Sequence, residues 1–218
     1  MMKRYLAYQK KYDISLDEAK LHVDLNLDLP FYSYIEEVSN PEDNLVYLNK
    51  YRKLPENYQP EDLVLFPGSE KYVLKFVAKK LIELFTDASL QDHCFKLFSG
   101  YRSFNYQKKL YEDYVLKDGL EKADTYSARP GHSEHQTGLA VDIASCDLED
   151  KVKPLDYEWL KENACKYGFI IRYPENSFKM TGFIEEPWHL RFVGVKTALK
   201  INSLQTTFDE FWIKYLKD

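Results

Sequence analysis

Two short stretches carry the residue types of a hydrolytic metal site. Ser133-Glu-His135-Gln-Thr-Gly138-Leu-Ala-Val-Asp142 offers an imidazole and a carboxylate, and Glu186-Pro-Trp-His189 adds a second imidazole with its own carboxylate. Two imidazoles and one carboxylate, with a fourth position left open, form a common ligand set for catalytic zinc. A spare carboxylate beside such a site can take a proton from a metal-acidified water and later deliver it to a leaving amine. An aspartate inside Leu139-Ala-Val-Asp-Ile143 is costly to bury unless it is paired or holds a metal. The alternative is an edge-strand aspartate facing water. His135 alone, or an E-x-x-H alone, carries little weight. Their combination points to metal-assisted hydrolysis, with His135, Asp142 and His189 as ligands, Glu186 as base and Glu185 as its competitor. His132, after Pro130-Gly131, reads as a surface loop residue.

These side chains need particular elements to hold them. Gly138 and the alternation after it argue against a helix joining His135 to Asp142. A loop bearing His135 leads instead into a strand over Gly138–Ser145, with Ala140 and Asp142 on one face and Leu139, Val141 and Ile143 on the other. Pro187 disfavours helical geometry at Glu186, which separates this stretch from the helical H-E-x-x-H of other zinc peptidases. A loop entering a strand over Trp188–Phe192 fits better, with Glu186 placed before regular pairing begins.

Elsewhere, Val73, Phe76, Val77, Leu81, Leu84 and Phe85 predict an amphipathic helix within 70–87. Phe95 and Leu97 predict a short strand ending at Ser99-Gly100. A second helix runs over Phe104–Lys117, with Gln107 and Leu110 near one face and Gly119 as its stop. A third covers Tyr157–Tyr167, with Asp156 as N-cap and Gly168 as stop. Phe169–Tyr173 reads as a strand and Leu204–Leu216 as a closing helix. Helices early and late, with strands clustered between them, predict an α+β fold: a mainly antiparallel sheet with flanking helices and the site in a cleft on the sheet. The glycine-free start and the polar break at Ser39–Asn44 mark residues 1–44 as a partly helical N-terminal extension, with the compact catalytic domain over 45–218. Pro55 and Pro60 make Tyr51–Pro60 a belt across the surface.

A net charge of -5 argues against nucleic acid as a partner. No apolar run reaches the length of a membrane span, and Met1–Lys10 lacks the apolar segment of a signal peptide. Cys94, Cys146 and Cys165 show no C-x-x-C spacing and read as small buried thiols, a Cys146–Cys165 bridge being open to them in an oxidising compartment.

Ser99-Gly-Tyr-Arg-Ser103, the Ser133–Asp142 stretch, Asn163-Ala164, Gly168-Phe-Ile-Ile-Arg-Tyr-Pro174 and Glu186-Pro-Trp-His-Leu-Arg191 together resemble the VanY-type D-alanyl-D-alanine carboxypeptidases. The resemblance spans roughly residues 45–195, with the motifs in the family's order. It implies one zinc per chain on His135, Asp142 and His189, Glu186 as catalytic base, and Arg102 as a catalytic and substrate-binding residue supporting the oxyanion. Gln107 and Ser133 are implied as further substrate contacts; Tyr173 and Trp188 read from the sequence as walls of the cleft, with buried core aromatics as the alternative. The implied reaction removes the C-terminal D-alanine from peptidoglycan stem peptides. Cleavage of L-Lys–D-Ala in a tetrapeptide and an endolysin-like L-Ala–D-Glu endopeptidase share the same motifs. A non-catalytic zinc module is the rival from another class, and retention of Glu186 and Arg102 argues against it. Wall substrates imply an extracytoplasmic, cell-wall-associated protein, attached to a membrane only through an anchor absent from this chain, with a cytoplasmic location as the alternative; the chain is expected to be a monomer.

Overall fold

The computed structural model describes residues 1–217. Helices α1 (Met2–Tyr12) and α2 (Leu16–Asp24) come first, and Ser15 caps α2 by accepting from the Glu18 N–H. Strands β1 (Glu36–Glu37) and β2 (Arg52–Lys53) pair in parallel, and β3 (Leu63–Leu65) pairs antiparallel with β4 (Tyr72–Leu74). Apart from β2, the Tyr51–Pro60 stretch has no regular structure. Then follow α3 (Lys75–Ser89), β5 (Phe95–Ser99), α4 (Phe104–Asp118), α5 (Leu120–Ala123), β6 (Ala140–Ser145), α6 (Pro154–Asn163), β7 (Phe169–Ile171), α7 (Phe178–Thr181), β8 (His189–Phe192), α8 (Val195–Leu204) and α9 (Phe208–Tyr215). The principal sheet has the order β5-β6-β8-β7 and is antiparallel throughout, so the α+β reading with flanking helices holds.

Period-2 alternation sorts this sheet into two faces. Val141, Ile143, Phe169, Leu190 and Phe192 pack against Val77, Leu81 and Leu84 of α3 and Leu160 of α6. On the other side Ile170, Val193, Ala198 and Ile201 join Phe208 and Phe211 of α9, Tyr47 and Leu25 in a second cluster. All six residues of β6 are buried, which excludes a water-facing Asp142.

Several elements differ from expectation for identifiable reasons. Helix α3 starts at Lys75 because Val73, apolar under either period, pairs with Val64 in the β3–β4 ribbon. Lys153, not Asp156, is the N-cap of α6, with Pro154 just inside the helix. Asp156 instead accepts from Ser145 Oγ and from His93 Nδ1, the latter at 2.7 Å. The expected closing helix from Leu204 starts later, at Phe208, because Gln205 turns left-handed and Thr207 forms a capping box with Glu210; a separate helix, α8, ends at Leu204. The cysteine reading is also corrected. Cys94 and Cys146 form a disulfide, because the Phe95–Ser145 pairing of β5 and β6 brings their flanking residues together, and Cys165 stays free and buried.

Candidate active site

The register of β6 and β8 places Asp142 directly opposite His189, so both side chains project from one face. His135 reaches them from a single 3-10 turn, Glu134–Thr137, rather than from open loop. Ser133 Oγ starts this turn by accepting from the His135 N–H at 3.4 Å, and Gly138, at φ 71°, ends it in the left-handed region that glycine tolerates. The His135 Nδ1 donates to the Gly100 carbonyl at 2.8 Å, which leaves Nε2 facing Asp142 Oδ2 at 3.2 Å. His189 presents the other nitrogen: its Nδ1 lies 3.2 Å from Asp142 Oδ1 and 3.5 Å from Glu186 Oε2.

One ligand atom from each of His135, Asp142 and His189 falls within 4.8 Å of the others. Asp142 Oδ1 is buried without any hydrogen-bond partner. Such an oxygen is expensive to bury unless a cation meets it, and the two imidazoles beside it complete a donor set suited to zinc. Burial opposes ionisation of Asp142, but the charges of His135 and Arg102 outweigh it and hold the carboxyl well below the usual carboxylate range.

Glu186 sits just before β8. Its N–H donates to the Tyr173 carbonyl at 2.9 Å, and its own carbonyl accepts from the His189 N–H at 3.1 Å. That tight turn puts Glu186 and His189 on the same side, which a regular strand would forbid at this spacing. Burial, reinforced by the Asp142 charge, pushes the Glu186 carboxyl up to about 7 against the pull of His189 and Arg102. Glu185 is exposed and does not line the cleft.

A cleft of about 250 Å³ opens onto these groups, and Arg102, Gln107, Ser133, Tyr173 and Trp188 all line it. Arg102 donates through Nε to Ser99 Oγ at 3.0 Å and through Nη2 to Asp142 Oδ2. Gln107, on α4, is buried; its Nε2 donates to the Ala128 carbonyl at 2.9 Å, while its Oε1 has no partner. The Tyr173 ring lies between His189 and Phe183, tilted to both, with ring centroids 5.1 and 4.9 Å away. A second cavity of about 370 Å³, against α6, β7 and α8, touches none of the candidate ligands.

His132 departs from its expected surface position. It is 6% exposed, donates through Nδ1 to the Asn49 carbonyl at 2.8 Å, and meets the Tyr32 ring edge-on. Burial pushes it down to about 4, and it stands outside the cleft. Sequence reading overlooked four charged residues behind the site: Glu134, Arg172, Arg191 and Asp209, all buried. The signal was present, since an arginine inside Ile171-Arg-Tyr or Leu190-Arg-Phe needs a partner as much as Asp142 does.

Residues 70–195 match the family described as VanY, D-alanyl-D-alanine carboxypeptidase. The chain belongs to this family. It is 38% identical over 224 residues to the putative carboxypeptidase YodJ of Bacillus subtilis, a match covering 97% of this chain and 82% of YodJ. Among solved structures, the LdcB LD-carboxypeptidase is 40% identical with a TM-score of 0.77, covering 84% of this chain and 91% of that one. A D,D-pentapeptidase VanY in complex with Zn(II) is 32% identical with a TM-score of 0.70, covering 77% and 98%. VanY membership and the clustered His135, Asp142 and His189 make this chain a metal-dependent peptidase of the carboxypeptidase type.

Proposed function

We propose that this VanY-family chain is a zinc carboxypeptidase that removes the C-terminal D-alanine from peptidoglycan stem peptides, with the D-Ala–D-Ala bond of a pentapeptide as its first substrate. One observation carries the reading: an imidazole nitrogen from each of His135 and His189 and an unpartnered Asp142 oxygen converge beside the Glu186 carboxyl in a cleft. His135, Asp142 and His189 would hold a single zinc, which would supply Lewis acidity at the open position. Glu186, whose Oε2 lies 3.5 Å from His189 Nδ1, takes the proton of the attacking water and returns it to the leaving amine. Arg102 forks onto the substrate carboxylate or the developing oxyanion. Because the Gln107 amide nitrogen is spent on Ala128, its free Oε1 accepts a substrate N–H. Ser133 contributes a hydroxyl at the same wall, and Tyr173 and Trp188 bound the space available to the terminal residue.

A second reading, L,D-carboxypeptidase action on tetrapeptide stems, is favoured by the higher identity to LdcB than to the D,D-pentapeptidase. Mass spectrometry of products from defined penta- and tetrapeptide muropeptides separates the two. Loss of one alanine from the pentapeptide alone supports the D,D reading, and loss from the tetrapeptide supports the L,D reading. No release from either sinks both. An extracytoplasmic site of action fits the Cys94–Cys146 disulfide, which persists in oxidising compartments. No helix among the described residues is long and apolar enough to cross a membrane.

A further inference from the structure

Behind His189 lie two arginines and two carboxylates almost entirely cut off from solvent. Arg191 in β8 is 0% exposed and Arg172, just past β7, is 1%. Arg172 Nε donates to Glu134 Oε1 at 2.8 Å, and Arg191 Nη1 lies 3.0 Å from the same oxygen. The remaining Arg172 donors go to Asp209 of α9 and to the Leu48 carbonyl. Asp209 also accepts from Tyr47 Oη at 2.8 Å. Arg191 spends its other donors on the carbonyls of Asn44, Val46 and Phe192. Two cations thus face two anions, with Arg191 Nη1 in ion-pair contact but making no hydrogen bond. Glu134 Oε2 is buried without a hydrogen-bond partner, 3.5 Å from His189 Nε2, which is likewise unpartnered.

We propose that Glu134 is a positioning residue, whose Oε2 takes the Nε2–H of His189 and so leaves Nδ1 bare towards Asp142 and Glu186. The proposal rests on the metallopeptidase reading above. A neutral imidazole carries one ring proton, and whichever nitrogen faces an acceptor keeps it. An ionised carboxylate only accepts, so at Nε2 it fixes both the tautomer and the ring orientation. Glu134 is held in place by the Arg172 hydrogen bond and the Arg191 ion pair, both at its Oε1. His135 obeys the same rule with the nitrogens exchanged, its Nδ1–H going to the Gly100 carbonyl and its Nε2 left bare. The two ligands therefore present different nitrogens, each chosen by the acceptor behind it.

The test is Glu134→Gln beside Asp209→Asn, each removing one carboxylate from Arg172. In Glu134→Gln the arginines keep the amide oxygen, so the NH2 faces His189 Nε2 as donor against donor. The ring then carries its proton on Nδ1, the wrong side for a ligand. Zinc affinity measured by chelator competition is expected to fall about 10- to 100-fold, the range for lost outer-shell partners. The visible spectrum of the cobalt-loaded protein should change with it, whereas Asp209→Asn keeps the parental affinity. Unchanged affinity in Glu134→Gln overturns the proposal. An equal loss in both variants does so too, by making the network merely structural. A measurement on the parent needs no variant: NMR of cadmium-loaded protein with nitrogen-labelled histidine should show metal coupling at His189 Nδ1 and a proton on Nε2. Coupling through Nε2 overturns the proposal even if Glu134→Gln fails to fold. A parent that binds no metal at these three residues sinks the metallopeptidase reading instead.

Discussion

Replacing Gly100 with alanine tests how tightly the site is braced from behind. Gly100 follows β5, and its carbonyl accepts the His135 Nδ1–H at 2.8 Å. Its φ lies outside the left-handed region, so space rather than conformation demands glycine. A Cβ at this position would sit well inside 3.0 Å of the Tyr72 carbonyl oxygen and at 3.0 Å from Val73 Cγ1. Neither neighbour yields easily. The Tyr72 carbonyl is held by the Tyr101 N–H at 2.7 Å, and Val73 is fully buried. Relief therefore displaces the Gly100 backbone by an amount on the order of 1 Å, and that shift passes to His135 through the hydrogen bond and to Arg102 along the chain. Misplacement on that scale costs about a hundredfold in rate. Overpacking a filled site costs about 1–3 kcal/mol of stability, at roughly 2–4 °C of Tm per kcal/mol in a chain of this size. The assay is kcat/KM on the stem peptide that the parent cleaves, with thermal melts and metal content measured on the same samples. Gly68→Ala is the control: its φ is +74° and nothing lies within 4 Å, so it should cost only about 1–2 kcal/mol of backbone strain and leave kcat/KM alone. Parental kcat/KM in Gly100→Ala, or an equal loss in both glycine variants, would refute the idea that close packing at Gly100 sets the ligands.

Three further outcomes follow from the geometry. Glu186→Ala is expected to keep fold and zinc but to lose turnover by at least about a hundredfold, whereas Glu185→Ala, outside the cleft, should turn over normally; comparable losses in both would misassign the base. Arg102→Lys should depress kcat/KM by the equivalent of about 1–3 kcal/mol, because an ammonium cannot fork onto a carboxylate; parental rates on every stem peptide, with circular dichroism and zinc content unchanged, would remove Arg102 from substrate binding. Cys146→Ser opens a disulfide whose partners are 52 residues apart, and the lost constraint on the unfolded chain should lower stability by about 2–4 kcal/mol in urea titrations; an unchanged midpoint would mean that the bridge contributes nothing.

The candidate ligands were legible because an ionisable group inside an apolar run is costly enough to need a reason, and Asp142 within Leu-Ala-Val-Asp-Ile showed that cost in one line of sequence. What could not be read was pairing. The Asp142–His189 register and the Cys94–Cys146 bridge both depend on which strands become neighbours, a non-local choice that periodicity does not encode. His132 was misplaced for the same reason, since the residues that bury it, Tyr32 and Asn49, lie far away along the chain. Other misses were local and avoidable. Thr207-x-x-Glu210 is a capping-box pattern that marks the start of α9, and Pro154 marks the start of α6 better than Asp156 does.

The buried arginines carry the burial rule one step further and set a lower bound on the working unit. The VanY match covers residues 70–195, yet Arg172 draws one of its two carboxylates from Asp209 and a carbonyl from Leu48. Arg191 likewise needs the carbonyls of Asn44 and Val46. A chain trimmed to the matched segment would leave two buried guanidiniums sharing only Glu134. Stripping one partner from a buried ion pair costs about 3–5 kcal/mol, a large fraction of a domain's whole stability. The segments before and after the matched region therefore do more than cover the sheet: they supply the Asp209 carboxylate and the backbone carbonyls that meet two buried guanidiniums behind the site.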